Sequence, residues 1–100
     1  MNPTKTPEAC TSLADIRAEI DRLDRDIVRL LAARQSYVLA AAQFKRSEAE
    51  VTAPDRIEQV VANARCIAEA EGADADIVER VYRELIAAGT DAERQAWRQR

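Results

Sequence analysis

Histidine is missing from this sequence of 100 residues, and cysteine occurs only twice, at Cys10 and Cys66. Because the two cysteines form no closely spaced pair and no imidazole is available, the sequence offers neither a redox motif nor a usual zinc site. We therefore expect no metal site and interpret both cysteines as small packing residues.

Residues that break helices or favour strands are also scarce. The chain has two glycines, three prolines and four aromatic residues, and it is rich in Ala, Leu, Ile, Val, Glu, Arg and Asp. This composition favours helix over sheet, so the predicted class is all-α, in a single domain over residues 1–100.

Long apolar runs and a strong charge of one sign are absent as well. No stretch approaches the roughly 20 apolar residues that span a bilayer, and the first residues lack an apolar signal segment. We therefore expect a cytoplasmic protein that does not bind membranes. Fifteen basic residues are spread along the chain against eighteen acidic ones, for a net charge of -3. This balance disfavours nucleic-acid binding.

The first predicted helix is very long, covering about residues 12–47. Ser12 is a candidate cap, and no glycine or proline interrupts the run that follows. Apolar residues recur along it at alternating four- and three-residue steps, forming a seam that comprises Ile16, Ile20, Leu23, Ile27, Leu30, Val38 and Ala41.

Two shorter helices should follow. After a polar loop over residues 46–53, a proline in the first turn starts helix 2, at about 54–71, and Gly72 suits the conformation that ends it. Helix 3 is predicted at about 74–98, starting from Asp74 or Asp76. Gly89-Thr90 interrupts its apolar pattern and predicts a kink or early fraying.

The length of helix 1 indicates a homodimer. A helix of about 33 residues is roughly 50 Å long, whereas a compact domain of this size has a radius of gyration of about 13 Å. Two shorter helices cannot cover the whole apolar seam. A second copy of the chain packing alongside would bury the remainder.

Two cations lie where the seam should be apolar. Continued by the same helical steps, the seam includes Arg34 and Lys45, which would then share a face about 16 Å apart. For a single Lys or Arg on such a seam, we would expect the methylenes to pack on the core while the charged end reaches water. Two on one face, with no acidic residue on the seam, favour a small dianionic ligand.

Arg17 flanks the same seam near the start of helix 1. It lies about 25 Å from Arg34 along the axis, too far to share a site within one chain, although an antiparallel partner would bring its own copy across. The residues themselves do not single it out, because Arg22, Arg25 and Arg29 are equally plausible.

A series of motifs in residues 5–56 resembles one known family. They are Lys5-Thr6-Pro7-Glu8, Cys10-Thr11, Leu13-Ala14-Asp15-Ile16-Arg17, Ile20-Asp21-Arg22, Asp24, Asp26-Ile27-Val28, Leu31, Arg34, Tyr37-Val38, Ala40-Ala41 and Phe44-Lys45. The sequence is similar to the all-helical chorismate mutases, and in particular to the bacterial isochorismate pyruvate lyases of salicylate and siderophore biosynthesis. Beyond residue 56 the match is thinner, although Trp97 resembles the family's tail.

The resemblance implies an intertwined homodimer with two active sites that needs no cofactor. By position, Arg34 would bind one substrate carboxylate, and Arg17 of the partner subunit would bind the other. Lys45 would donate a hydrogen bond to the ether oxygen of the breaking bond. The protein would hold the enolpyruvyl arm over the ring and stabilise the negative charge that develops on that oxygen.

Two positions depart from the family pattern. Pro54 stands where many mutases have an arginine, which favours the lyase-like subgroup. Counting back from Trp97, Glu93 occupies the position where the family has a glutamine or, less often, a glutamate. In the family this residue donates a second hydrogen bond to the ether oxygen. A carboxylate donates only when protonated. Activity should therefore rise toward acidic pH, and a profile flat between about pH 5 and 8 would contradict this role. Otherwise Glu93 is an exposed residue on a fraying last turn.

Three functions remain open from the sequence. Rearrangement of chorismate to prephenate is the leading hypothesis, and elimination of pyruvate from isochorismate to give salicylate is a close second. The alternative from a different class is a helical dimerisation module without catalysis. Arg34 and Lys45 separate it from the enzymes, because a purely structural seam would be better served by apolar residues at both positions.

Overall fold

The structure is a computed structural model that describes residues 5–100. It contains four α-helices, α1 (Leu13–Ala41), α2 (Glu48–Thr52), α3 (Pro54–Ala70) and α4 (Ala75–Arg98), and two short 3-10 helices, Pro7–Ala9 and Ala42–Phe44. Residues 5–100 contain no strand. The predicted all-α class is confirmed, with the three predicted long helices present as α1, α3 and α4.

Helix α1 begins as predicted and ends earlier than predicted. The Ser12 hydroxyl caps it by accepting a hydrogen bond from the backbone N–H of Asp15 at 3.0 Å. No residue of α1 is buried, and most of its large apolar residues are exposed, with Leu30 61% exposed. The prediction that it continues to residue 47 is wrong, because the α-helix ends at Ala41 and a 3-10 turn follows.

The segment predicted to be a loop contains α2. The Ser47 hydroxyl accepts from the backbone N–H of Glu50 at 3.4 Å, and the Glu50 carboxylate accepts from the backbone N–H of Arg46 at 2.9 Å. This resembles a capping box, with Ser at the cap and Glu three residues later, except that the Glu50 carboxylate binds the N–H of the residue before the cap. The signal is visible in the sequence, and it explains why the chain leaves α1 before this point.

Helices α3 and α4 begin and end close to the predicted positions. Gly72 follows α3 with a φ of 75°, and Asp74 caps α4 by accepting from the backbone N–H groups of Asp76 and Ile77. The predicted early fraying at Gly89-Thr90 is wrong, because α4 continues unbroken to Arg98, and the alternative of a kink there stays a prediction. Packing on both sides of this pair outweighs the low helix propensity of glycine, since Ile86 and Glu93 are both buried.

Contacts between α-carbons divide the chain into a first unit that ends at Arg34 and a second unit, Gln35–Arg100. In the first unit, the segment before α1 is held on the helix, because the backbone N–H of Lys5 donates to Glu19 at 3.0 Å and its ammonium lies 3.3 Å from Asp15. In the second unit, α4 packs against α3, α2 and the turn Ala42–Phe44. The buried apolar residues of this unit are Ala42, Val51, Val61, Ala64, Ala68 and Ile86.

A separate group of ion pairs joins α3 to α4. Arg83 of α4 donates to Glu58 of α3 through two nitrogens and to Glu79, while Arg65 of α3 contacts Glu79 and Asp76. Hydrogen bonds from Arg83 are the main cause that lowers the pKa of Glu58 and of Glu79 below its ordinary value.

None of the helices in residues 5–100 combines the length and apolar character needed to cross a membrane.

Candidate active site

Lys45 stands where the chain leaves the 3-10 turn, with an extended backbone (φ -85°, ψ 138°). Its Nζ donates to Glu93 Oε2 at 2.9 Å and to the backbone carbonyl oxygen of Glu50 at 3.3 Å. An ammonium carries three N–H donors, so one of them is left over for a ligand. The side chain is 25% exposed, which lets this group meet a bound molecule.

Glu93 lies on the buried face of α4 and is 7% exposed. Its neighbours on that face are Ile86, two turns earlier, and Trp97, one turn later. The alternative interpretation of Glu93 as an exposed residue on a fraying turn is therefore wrong. The helix is intact around it, and its carboxylate is held by the Lys45 ammonium.

The contact with Glu93 corrects two steps of the sequence argument for Lys45. The prediction that Lys45 and Arg34 share one face of a continuous helix is wrong, because the α-helix that contains Arg34 ends at Ala41. The expectation of a cation without an acidic partner is also wrong for Lys45. Its partner comes from a helix 48 residues later in the chain, so no inspection of the seam on helix 1 could reveal it.

The backbone of Lys45 has two further partners near the end of the chain. Its carbonyl oxygen accepts from the indole Nε1 of Trp97 at 3.1 Å and from the guanidinium of Arg100 at 3.0 Å. The Arg100 guanidinium also lies over the Trp97 ring, 4.5 Å from its centroid. Neither residue was predicted to act at the site. The available signal was that a partly buried indole N–H requires an acceptor.

Arg17 and Arg34 both belong to α1 in the first unit. The helix is continuous between them, so their α-carbons lie about 25 Å apart along its axis. Arg17 is exposed and Arg34 is partly buried. Of the four predicted site residues, the structure thus brings Lys45 and Glu93 together, and it keeps the two arginines of one chain apart from each other.

Other places in the described part of the chain are less suited to form an active site. A concave surface of about 680 Å³ on the first half of α4 is lined by Ile77, Arg80, Val81, Arg83 and Glu84, and it contains none of the four predicted residues. Residues 5–100 hold no cluster of three or more His, Cys, Asp or Glu side chains suited to a metal ion. Lys45 with Glu93 is therefore the pair from which a site can be built.

Comparison with known proteins finds one family and two similar proteins. The family described as chorismate mutase type II matches residues 16–94, a range that includes all four predicted site residues. The isochorismate pyruvate lyase of Pseudomonas aeruginosa is 45% identical over 95 residues, which cover 95% of this chain and 94% of that protein. The T-protein of Haemophilus influenzae is 34% identical over 76 residues, covering 75% of this chain and 20% of that protein.

Proposed function

Because the chain belongs to the chorismate mutase type II family and is an enzyme of this kind, we propose that its main reaction is the elimination of pyruvate from isochorismate to give salicylate. The observation that carries this choice is the 45% identity to an isochorismate pyruvate lyase along nearly the full length of both chains. This likeness reverses the order in which the sequence alone ranked the two reactions. Rearrangement of chorismate to prephenate is the second candidate, favoured by the family match itself.

Lys45 acts on the ether oxygen of the bond that breaks. In both reactions negative charge develops on this oxygen, and a cation that is already in place stabilises it without reorganisation. The contacts of Lys45 support the role, because Glu93 and the Glu50 carbonyl oxygen fix the ammonium and leave one N–H for the substrate. The reaction needs no nucleophile from the protein.

Glu93 has two parts to play in this proposal. As a carboxylate it holds the Lys45 ammonium, the contact seen at 2.9 Å. As a neutral acid it would donate the second hydrogen bond to the ether oxygen, which family members with a glutamine obtain from an amide.

Arg34 and Arg17 bind the two substrate carboxylates, and Arg17 comes from the partner subunit of an intertwined homodimer. The separation of about 25 Å along one helix supports the use of two chains. The apolar residues left open on α1, including Leu23, Ile27 and Leu30 at 48%, 52% and 61% exposed, also support it. On this proposal residues 1–100 form one domain, and a cytoplasmic location remains our expectation.

The substrate is tested by incubating the purified protein with isochorismate and, separately, with chorismate, followed by chromatographic identification of the products. We expect salicylate and pyruvate in equal amounts from isochorismate, with a kcat/KM above that for prephenate formation. Prephenate alone would instead establish a mutase, and the absence of product from both would leave a dimerisation module. Arg34→Met should abolish turnover, whereas the matched control Arg29→Met, an exposed arginine on the same helix, should not.

The shared site is tested by complementation between two variants that should each be strongly impaired, Arg17→Ala and Lys45→Ala. When the two are unfolded and refolded together, half of the dimers are mixed, and each mixed dimer has one intact site. About a quarter of the wild-type activity should return. Each variant refolded alone is the control. If Arg17 served its own subunit, the mixture would be no more active than the two variants refolded alone.

A further inference from the structure

The carbonyl oxygen of Lys45 is held in a way that the helical fold alone does not require. At this residue the chain is extended and has left the 3-10 turn, so no later backbone N–H of a helix is available to the carbonyl. Its two donors are the side chains of Trp97 and Arg100, which lie 52 and 55 residues later in the chain.

Helix α4 therefore binds Lys45 through two hydrogen bonds. Glu93 binds the end of the side chain, and Trp97, one turn later on the same face, binds the backbone oxygen. Arg100 binds the same oxygen and stacks on the indole, which restricts the rotation of the Trp97 ring. Fixing both the backbone and the side-chain terminus of a long, flexible residue determines where its ammonium stands.

We propose that Trp97 and Arg100 are positioning residues for catalysis, which act through the carbonyl oxygen of Lys45 and touch no substrate. The inference rests on the proposed role of Lys45. It extends the functional residues beyond residue 94, where the family match ends. Loss of either donor lets the Lys45 backbone rotate and shifts Nζ away from the reacting oxygen.

The test measures kcat and KM for Trp97→Phe, which keeps an aromatic ring and removes the N–H donor, and for Arg100→Met, which removes the other donor at an exposed position. A displacement of about 1 Å can reduce a rate about a hundredfold. We expect kcat to fall about tenfold to a hundredfold in either variant, with KM changed less than about threefold, because the lost interaction acts in the transition state. Arg100→Lys, which retains a donor, should recover part of kcat.

Two comparisons separate positioning from a merely structural role. Arg98→Met is the matched control, because Arg98 contacts Glu48 and not Lys45, and its kcat should remain near wild type. In a Lys45→Ala background, Trp97→Phe should cause no further loss, since its effect passes through the residue already removed. Equal losses in Arg98→Met and Arg100→Met, or an undiminished additional loss in the Lys45→Ala background, would overturn the proposal.

The outcomes also distinguish this inference from the proposed function. If Lys45→Ala lowers turnover while Trp97→Phe and Arg100→Met are fully active, only the positioning role fails. If Lys45→Ala is itself fully active, the catalytic role of Lys45 fails, and this inference fails with it. Should Trp97→Phe not fold, Arg100→Met alone decides, because Arg100 lies beyond the end of α4 and is exposed.

Discussion

Removing one member of the Lys45–Glu93 pair should destabilise the protein by an amount that depends on which member is removed. Lys45→Met leaves the Glu93 carboxylate only 7% exposed and without its cation. Breaking a buried ion pair in this way costs about 3–5 kcal/mol, and we expect a value near the lower end. Glu93→Leu leaves Lys45, which is 25% exposed and keeps its contact with the Glu50 carbonyl oxygen. Its ammonium can turn toward water, so we expect a cost of about 1 kcal/mol.

The double variant completes the cycle. Replacing a buried pair by two apolar residues is often close to neutral, so Lys45→Met with Glu93→Leu should recover most of the free energy of unfolding that Lys45→Met loses. The assay is urea unfolding followed by far-ultraviolet circular dichroism. All variants are measured at one protein concentration, because the stability of the proposed homodimer would depend on concentration. The exposed pair Asp26–Arg29 serves as a control and should contribute less than about 1 kcal/mol. A cost for Glu93→Leu equal to or above that for Lys45→Met would refute the reasoning.

Three other perturbations have definite expected outcomes. Glu93→Gln should have a kcat at least equal to that of wild type at neutral pH, because an amide donates a hydrogen bond without needing a bound proton; a kcat well below that of wild type would contradict the donor role. The pKa values of Glu58 and Glu79 are lowered from 4.5, so the ionised carboxylates stabilise the fold at any pH above 4.5. This stabilisation is lost as the pH falls through the lowered pKa values. Thermal melting should therefore be less sensitive to acid in Arg83→Met than in wild type, and equal sensitivity would argue against these pairs. Asp74→Ala should lower the free energy of unfolding by about 1 kcal/mol in urea titrations through loss of the α4 cap, and no change would show that the cap is dispensable.

Local signals predicted most of the helices. Ser12, Gly72 and Asp74 act as the sequence indicated, because caps and left-handed turns depend on residues close in the chain. The end of α1 was missed although Ser47 and Glu50 carry a recognisable helix start. The expected break at Gly89 did not occur, since propensity is a weak preference that packing of α4 overrides.

The candidate site was predictable only in part for a related reason. Lys45 and Glu93 were identified separately, one as a cation on a seam and the other through the family pattern, and their contact at 2.9 Å depends on how α4 packs. The two donors to the Lys45 carbonyl oxygen are likewise more than 50 residues away in sequence. Contacts of this range leave no periodic trace in one sequence.

The most direct test of the account compares the turnover of isochorismate by wild-type protein and by Lys45→Met, at equal concentrations of folded protein. Removing one preorganised donor to a developing oxyanion lowers kcat about 10²–10³-fold in enzymes that depend on it. We predict that the wild type releases salicylate and pyruvate in equal amounts and that Lys45→Met is slower by about that factor. Wild-type protein that forms no product from isochorismate, or a Lys45→Met variant that turns it over at the wild-type rate, would contradict the account.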